Sequence, residues 1–323
     1  MNPNSPAAQD IPASEHWAHV RERGSFFMMR LLLSALRVLP RPLMTPIVYV
    51  VTVYFFVFSR RARKASRDYL RRVAAAAPGT GTRDSTRFMY RHFLAFSWSI
   101  VDKLSAWSGR LDCAQAQLEN YDSLQAAKAS GRGGLLLGAH LGNLEMCRAI
   151  AATKGRVKLN VLTHTRHSES FSRLLRMSGA SDLELLQVTE MDVATALMLK
   201  ARIDRGEWVV ITGDRVPVHG GRTVDVHLLG EAAPLPVGPY VLGALLECPV
   251  FLFFCLQRAD GHHVYFEPFA ERVSWQRSER DATLMALARR YAQRLEYHLC
   301  LEPLQWFNFY PFWRADLPRA KAP

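Results

Sequence analysis

Gly133-Gly134-Leu135-Leu136-Leu137-Gly138-Ala139-His140-Leu141-Gly142-Asn143-Leu144-Glu145-Met146-Cys147-Arg148-Ala149-Ile150 is the run that decides the fold. Its first half is small, apolar and uncharged, and predicts a buried strand over residues 134–139; from Leu144 onward the pattern is helical. His140 then stands at the carboxyl end of a strand, where open α/β sheets place their ligands. Asn143 is placed to cap the helix, whose first amides and positive dipole end would face negative charge developing nearby. Glu145, in the first turn, can fold back toward the imidazole. A carboxylate that accepts from one ring nitrogen fixes the tautomer and raises the basicity of the other, which can then take a proton from a hydroxyl or amine. His140 and Glu145 are therefore the candidate catalytic pair.

Working outward, short β-rich runs alternate with helical patterns. Strands are expected at residues 157–163, 183–188, 208–212, 223–229, 250–256 and 264–267, and helices at 191–203 and 278–299. Such alternation predicts an α/β domain with a mixed, mostly parallel central sheet flanked by helices. Pro234-Leu235-Pro236-Val237-Gly238-Pro239 is expected to form a turn. No internal repeat or low-complexity tract is present.

Toward the N-terminus the character changes. Residues 1–24 form a polar tail without the apolar run of a secretory signal, and residues 25–75 read as a membrane-associating helical segment. Within it, residues 26–39 are apolar but interrupted by Arg30 and Arg37 on one helix face, as in a helix lying in an interface. Residues 43–58 pass without a charge, slightly short of the ~20 residues that cross a bilayer comfortably. The stretch that follows, residues 59–72, holds seven basic side chains and one acid. A basic helix beside an apolar one, with Tyr49 and Tyr54 as interfacial anchors, suits an anionic leaflet. A spanning helix, a re-entrant or peripheral anchor, and a buried core helix followed by a solvated basic one all fit this pattern. A small-residue linker with Pro78, Gly79 and Gly81 is expected at 76–84, and the catalytic domain at 85–323.

Composition narrows the chemistry. The chain carries 41 Lys+Arg against 29 Asp+Glu, a net charge of +12, which favours anionic partners without choosing among lipid head groups, nucleic acid, phosphorylated cofactors or an acidic carrier protein. Five scattered cysteines without C-x-x-C spacing suggest neither a disulfide framework nor a zinc site. No H-E-x-x-H, Walker or G-x-S-x-G pattern occurs, so metalloprotease, P-loop and serine hydrolase chemistry lack their signatures. No nucleic-acid recognition motif is present, and the uncharged run at 43–58 has no place in such a protein. His164 and His167 read as loop positions, and His262-His263 as a surface pair opening a strand after Gly261.

The H-x-x-x-x-(D/E) spacing of His140 and Glu145 resembles that of the lysophospholipid acyltransferase superfamily. The form His-Leu-Gly-Asn-Leu-Glu is similar to its lipid A biosynthesis (late) acyltransferase branch. Further segments match in order: Ser66-Arg67-Asp68-Tyr69-Leu70-Arg71-Arg72, Gly213-Asp214-Arg215, the proline-glycine stretch at 234–239, and Glu302-Pro303-Leu304-Gln305-Trp306-Phe307-Asn308-Phe309-Tyr310. The resemblance spans residues 25–314. It implies that His140 is the base and Glu145 its partner. Asn143, Asp214, Arg215 and Gly238 become candidate substrate-binding residues. Arg215 would contact an anionic group of donor or acceptor, Asp214 would hold the arginine or the loop, and Gly238 would shape a turn whose amides line the pocket. Trp306, Phe307, Phe309, Tyr310, Phe312 and Trp313 would be core aromatics, some of them lining an acyl groove. The Phe-Pro-Glu-Gly-Thr-Arg block of glycerol-phosphate acyltransferases is absent.

The implied activity is transfer of a fatty acyl group from an acyl carrier protein or coenzyme A thioester to a hydroxyl or amine of a lipid or glycolipid. It would take place at the cytoplasmic face of the inner membrane, among anionic lipids, with the thioester as co-substrate and neither a resident cofactor nor a metal. A non-catalytic lipid-binding or scaffold protein of the same fold is the alternative.

Overall fold

The central strand forms as Leu135–Gly138, with all four residues buried. The computed structural model describes residues 41–107, 116–144, 157–163, 183–187, 193–216 and 221–313. In chain order these hold α1 (Arg41–Phe58), α2 (Arg60–Ala76), α3 (Thr86–Trp107), β1 (Gln117–Glu119), α4 (Tyr121–Ala129), β2 (Leu135–Gly138), β3 (Leu159–Thr163), β4 (Leu183–Gln187) and α5 (Val193–Asp204). They continue with β5 (Trp208–Thr212), β6 (Thr223–Leu228), β7 (Glu231–Pro236), α6 (Gly238–Leu246), β8 (Val250–Arg258), β9 (Gly261–Ala270) and α7 (Arg280–Leu301). The main sheet runs in the order β1-β9-β8-β2-β5-β3-β4. β8, β2, β5, β3 and β4 pair in parallel, while β9 is antiparallel to β8 and parallel to β1. This is the mixed, mostly parallel α/β sheet that the alternating pattern predicts.

A central strand covered on both faces is apolar throughout, and β2 shows why its leucines run unbroken. Leu135 and Leu137 join a core that includes Val209, Ile211, Leu252 and Phe254 and is closed by Leu242, Leu246, Leu284, Tyr291 and Leu295 of α6 and α7. Leu136, pointing the opposite way, joins Val210, Phe251, Phe253, Trp208 and Phe266, against which Leu118, Tyr121 and Leu124 pack. Each such side chain stabilises the fold by about 1.5–3 kcal/mol on burial.

Two strands escape the sequence patterns. β1 is three residues long, and β7 occupies residues 231–236, much of it inside the stretch expected as a turn. β7 forms a separate two-stranded ribbon with β6 through Leu229-Gly230, both with positive φ (53° and 78°), the geometry of a tight primed hairpin turn. Pro234 and Pro236 are tolerated because a two-stranded ribbon asks hydrogen bonds of only one edge of each strand. β9 begins at Gly261, and His263 is buried with Nε2 2.9 Å from Asp260, which corrects the surface position read for it.

The N-terminal helices pack onto this body. α1 lays Met44, Val48 and Thr52 against α3, with Phe56 edge-on to Tyr90 and Phe93. Its opposite side, including Leu43, Ile47, Val50, Val53, Tyr54 and Val57, is open among the described residues. α1 and α2 meet at a 93° bend, and no single described helix is long and apolar enough to cross a membrane. α2 is amphipathic: Ala65, Ser66, Tyr69, Leu70 and Val73 are buried, while Arg60, Arg61, Lys64 and Arg67 are exposed. The small-residue stretch at 76–84 turns through a 3-10 helix, Pro78–Thr80, and bends the chain within one core. Tyr69, Leu70 and Val73 before it and Met89 after it share a cluster with Trp306, Phe312 and Trp313. Residues 25–40, and with them Arg30 and Arg37, lie outside the described residues, as do His164 and His167.

Candidate functional site

β2 and β5 are parallel neighbours with Gly138 opposite Thr212, so the residues that follow each strand emerge side by side. His140 and Asp214 each lie two positions beyond that pair, and topology alone brings them together across 74 residues of sequence. The Gly213 amide donates to Gly138 O at 2.9 Å, and the Tyr291 hydroxyl to the same carbonyl at 2.8 Å, which ties α7 to the end of β2. The chain leaving β2 proceeds to β3 on one side, whereas the chain leaving β5 returns to β8 on the other. Their divergence is a topological switch point, the usual place for a ligand crevice in an open sheet.

Asp214 is fully buried and gathers donors. His140 Nδ1–H donates to Oδ1 at 2.8 Å, and the His140 amide to Oδ2 at 2.9 Å. Trp306 Nε1–H donates to Oδ2 at 2.9 Å, and Asn308 Nδ2–H to the same oxygen at 3.0 Å. Burial works against the charged carboxylate, but the charge and hydrogen bond of His140, the Arg215 guanidinium and the Trp306 indole outweigh it, holding Asp214 well below the usual carboxylate range. The His140 side chain is 29% exposed. Burial and the charge of Arg215 push its pKa below the ordinary histidine value of 6.5, Asp214 pulls it upward, and Lys103 of α3 adds a smaller downward push. The ring is thus neutral near pH 7. With Nδ1 carrying the proton, Nε2 is left as the acceptor, the arrangement of an oriented general base.

The last described segment straps this turn in place. Gly142 N donates to Gln305 O and Phe307 N to His140 O, each at 2.9 Å, while Asn143 N donates to Cys255 O at 2.8 Å. Gly142 has φ +67°, and a Cβ there would stand 1.8 Å from Cys255 O, so only glycine lets the turn press against β8. Arg215 Nε–H donates to Asn308 Oδ1 at 2.8 Å and its Nη2 to Phe307 O at 3.1 Å. Its guanidinium carbon sits 5.9 Å from the Tyr310 ring centroid. The segment is itself anchored: Trp306 packs edge-on to Tyr69, Phe312 and Trp313, and His92 Nε2–H donates to Trp306 O at 2.9 Å.

Of the residues singled out from sequence, His140, Asp214 and Arg215 converge here. Asn143 lies in the same turn with its side chain buried. Glu145, and the helix Asn143 was expected to cap, lie outside the described residues. The carboxylate seen on His140 Nδ1 is that of Asp214, which holds the imidazole as well as its loop. Gly238 is exposed at the first position of α6, and among the described residues no hydrogen bond joins it to His140, Asp214 or Arg215. Sequence reasoning treated Trp306 as packing and gave Asn308 no role. Their signal was present in Gln305-Trp306-Phe307-Asn308, but which polar group they would meet depends on the tertiary fold. Among the described residues no group of three or more His, Cys, Asp or Glu side chains converges as metal ligands would.

A family model described as bacterial lipid A biosynthesis acyltransferase matches residues 12–315. The chain is similar to a phosphatidylinositol mannoside acyltransferase of Mycolicibacterium smegmatis, 26% identical over 269 residues, which cover 81% of this chain and 85% of that one. It is also similar to proteins of that name from two strains of Mycobacterium tuberculosis. One is 24% identical over 226 residues (69% of each chain) and the other 24% over 200 residues (62% of this chain and 60% of that one). With the family model spanning both the strap and the β2 and β5 ends that meet in the site, the chain belongs to the bacterial lipid A biosynthesis acyltransferase family.

Proposed function

We propose that this protein transfers a fatty acyl group from a thioester, carried on acyl carrier protein or coenzyme A, to a hydroxyl or amine of a lipid or glycolipid, with His140 as general base. The observation that carries this reading is the buried Asp214 carboxylate on His140 Nδ1, which leaves Nε2 of a partly exposed ring as proton acceptor. The acceptor gives its proton to Nε2 as its oxygen or nitrogen attacks the thioester carbonyl. Collapse of the tetrahedral species breaks the C–S bond, and the imidazolium returns the proton to the departing sulfur. The products are an ester or amide and a free thiol. Arg215, beside the base, suits an anionic group of either substrate because its planar fork bonds two oxygens at once. Glu145, five positions after His140 in the sequence, is proposed as a second carboxylate partner of the base, with a contribution separable from that of Asp214 by comparing Glu145→Gln with Asp214→Asn.

The open apolar side of α1 and the basic side of α2 support attachment to the anionic cytoplasmic leaflet of the inner membrane. The lipid acceptor is favoured by the names of the relatives, which are acyltransferases of a mannosylated phospholipid.

The test is purified full-length protein in lipid vesicles supplied with palmitoyl-coenzyme A or palmitoyl-acyl carrier protein and a phosphatidylinositol mannoside, with products read by mass spectrometry. Acylated lipid from the wild type and none above background from His140→Gln is expected. Undiminished transfer by a folded His140→Gln variant would eliminate the proposal. Vesicle binding by the wild type with neither thioester consumed would favour a lipid-binding scaffold.

A further inference from the structure

The strap Gln305-Trp306-Phe307-Asn308 does more than close the core. We infer that Trp306 and Asn308 are positioning residues for the catalytic base: together they hold the buried Asp214 carboxylate charged and aimed at His140, and Asn308 at the same time fixes the Arg215 guanidinium beside it. This rests on the reading of His140 as base.

The geometry is specific about residue type. Asn308 accepts from Arg215 Nε at 2.8 Å through Oδ1 and donates to Asp214 Oδ2 at 3.0 Å through Nδ2. A guanidinium only donates and a carboxylate only accepts, so the residue between them must do both, and a side-chain amide of this length does. Aspartate at 308 could accept from Arg215 but would set a second negative charge about 3 Å from Asp214. Leucine could do neither.

Trp306 reaches the same Asp214 Oδ2 through an indole N–H whose ring is only 1% exposed and is held by Tyr69, Phe312 and Trp313. Both donors fall on Oδ2, leaving Oδ1 for the imidazole. The carboxylate is thereby prevented from turning, and the imidazole it holds inherits that orientation. Among the described residues, the titratable and charged groups facing Asp214 are His140, Arg215, Tyr291 and Tyr310; those facing His140 are Asp214, Arg215 and Lys103.

The consequence has a sign. A neutral donor on Oδ2 disperses the negative charge of Asp214, so its removal concentrates that charge and pulls the His140 pKa upward. Trp306→Phe, which keeps a packing ring, is expected to raise it by about half to one pH unit and to lower kcat about tenfold with KM unchanged, since a hydrogen bond to a charged group is worth roughly one to two factors of ten. Asn308→Leu is expected to raise the His140 pKa similarly and, because Arg215 loses its Nε acceptor, to raise KM for the anionic substrate severalfold as well.

The experiment is NMR titration of the 15N-labelled imidazole in the full chain, which needs no substrate, together with kcat and KM for palmitoyl-coenzyme A. An unshifted His140 pKa with unchanged kcat in a folded Trp306→Phe protein overturns the inference, as does an equal effect of both variants on KM. Should Asn308→Leu fail to fold, Trp306→Phe alone decides through the direction of the pKa change. Transfer retained by His140→Gln would overturn the general-base reading and leave the titration result standing, so the two failures are distinguishable.

Discussion

His140 owes its usefulness as a base to two opposing neighbours. Asp214 draws a proton toward the ring, while burial and Arg215 push the imidazolium out, and the net direction is downward from 6.5. Protonation of Nε2 removes the acceptor, so the midpoint of the acid-side fall in kcat/KM is expected below the ordinary histidine value of 6.5. A decline already complete at pH 7 would contradict the electrostatics. Asp214→Asn puts an amide in place of the anion and leaves the tautomer unfixed; kcat is expected to fall by about three orders of magnitude with KM little changed. Gly142→Ala tests the close approach to β8. With φ +67° and a Cβ 1.8 Å from Cys255 O, the substitution forces the turn away from the sheet, and a loss of about 3–5 kcal/mol is expected in denaturant unfolding.

α2, α3 and the strap meet at a single buried histidine. The Ser66 hydroxyl of α2 donates to His92 Nδ1 at 2.9 Å, and His92 Nε2–H donates to Trp306 O at 2.9 Å. Burial lowers the pKa of His92 to about 4, against 6.5 for an ordinary histidine, with the Trp306 carbonyl opposing the shift. The unfolded chain therefore takes up this proton before the folded one does. The contribution of His92 to stability is fully present well above pH 6.5 and is expected to decline by roughly 3 kcal/mol as pH falls from about 6.5 to about 4. In urea titrations across that window His92→Gln should show a lower starting stability and a flatter pH dependence; an equally steep slope would show that other groups govern it. Since Trp306 donates to Asp214, this helix junction also bears on the base.

At the scale of the whole molecule, the basic side of α2 adjoins a helix whose apolar side is open among the described residues. At roughly 1 kcal/mol for each well-placed charge, replacing Arg60, Arg61 and Lys64 together by Gln is expected to weaken binding to phosphatidylglycerol vesicles by about a hundredfold at low salt, with little effect on phosphatidylcholine vesicles. Vesicle sedimentation reads both. Replacement of Leu43, Val50 and Val57 by Ser should weaken binding to either lipid while leaving the thermal midpoint within a few degrees of the wild type. Among the described residues these side chains are exposed and take no part in the core. A drop in that midpoint comparable to a core substitution would show that α1 is covered by another part of the chain instead.

Periodicity and apolar runs located most of the sheet. The unbroken Leu135-Leu136-Leu137 run, the strand at Trp208–Thr212 and the long C-terminal helix were legible because their burial patterns repeat locally, within the reach of a single element. β7 was not, since its prolines are tolerated only where one edge of a ribbon goes unpaired, and that is a property of its neighbours. The site divides in the same way. Sequence alone set His140 at the end of a strand and supplied the arginine and carboxylates from which a base could be assembled. That Asp214 meets the imidazole was decided by the parallel pairing of β2 with β5, and the bracing of its carboxylate by Trp306 and Asn308 was decided by the return of the chain end across the turn. A hydrogen bond depends on distance in space, and sequence separation carries no information about it until strand order and register are fixed.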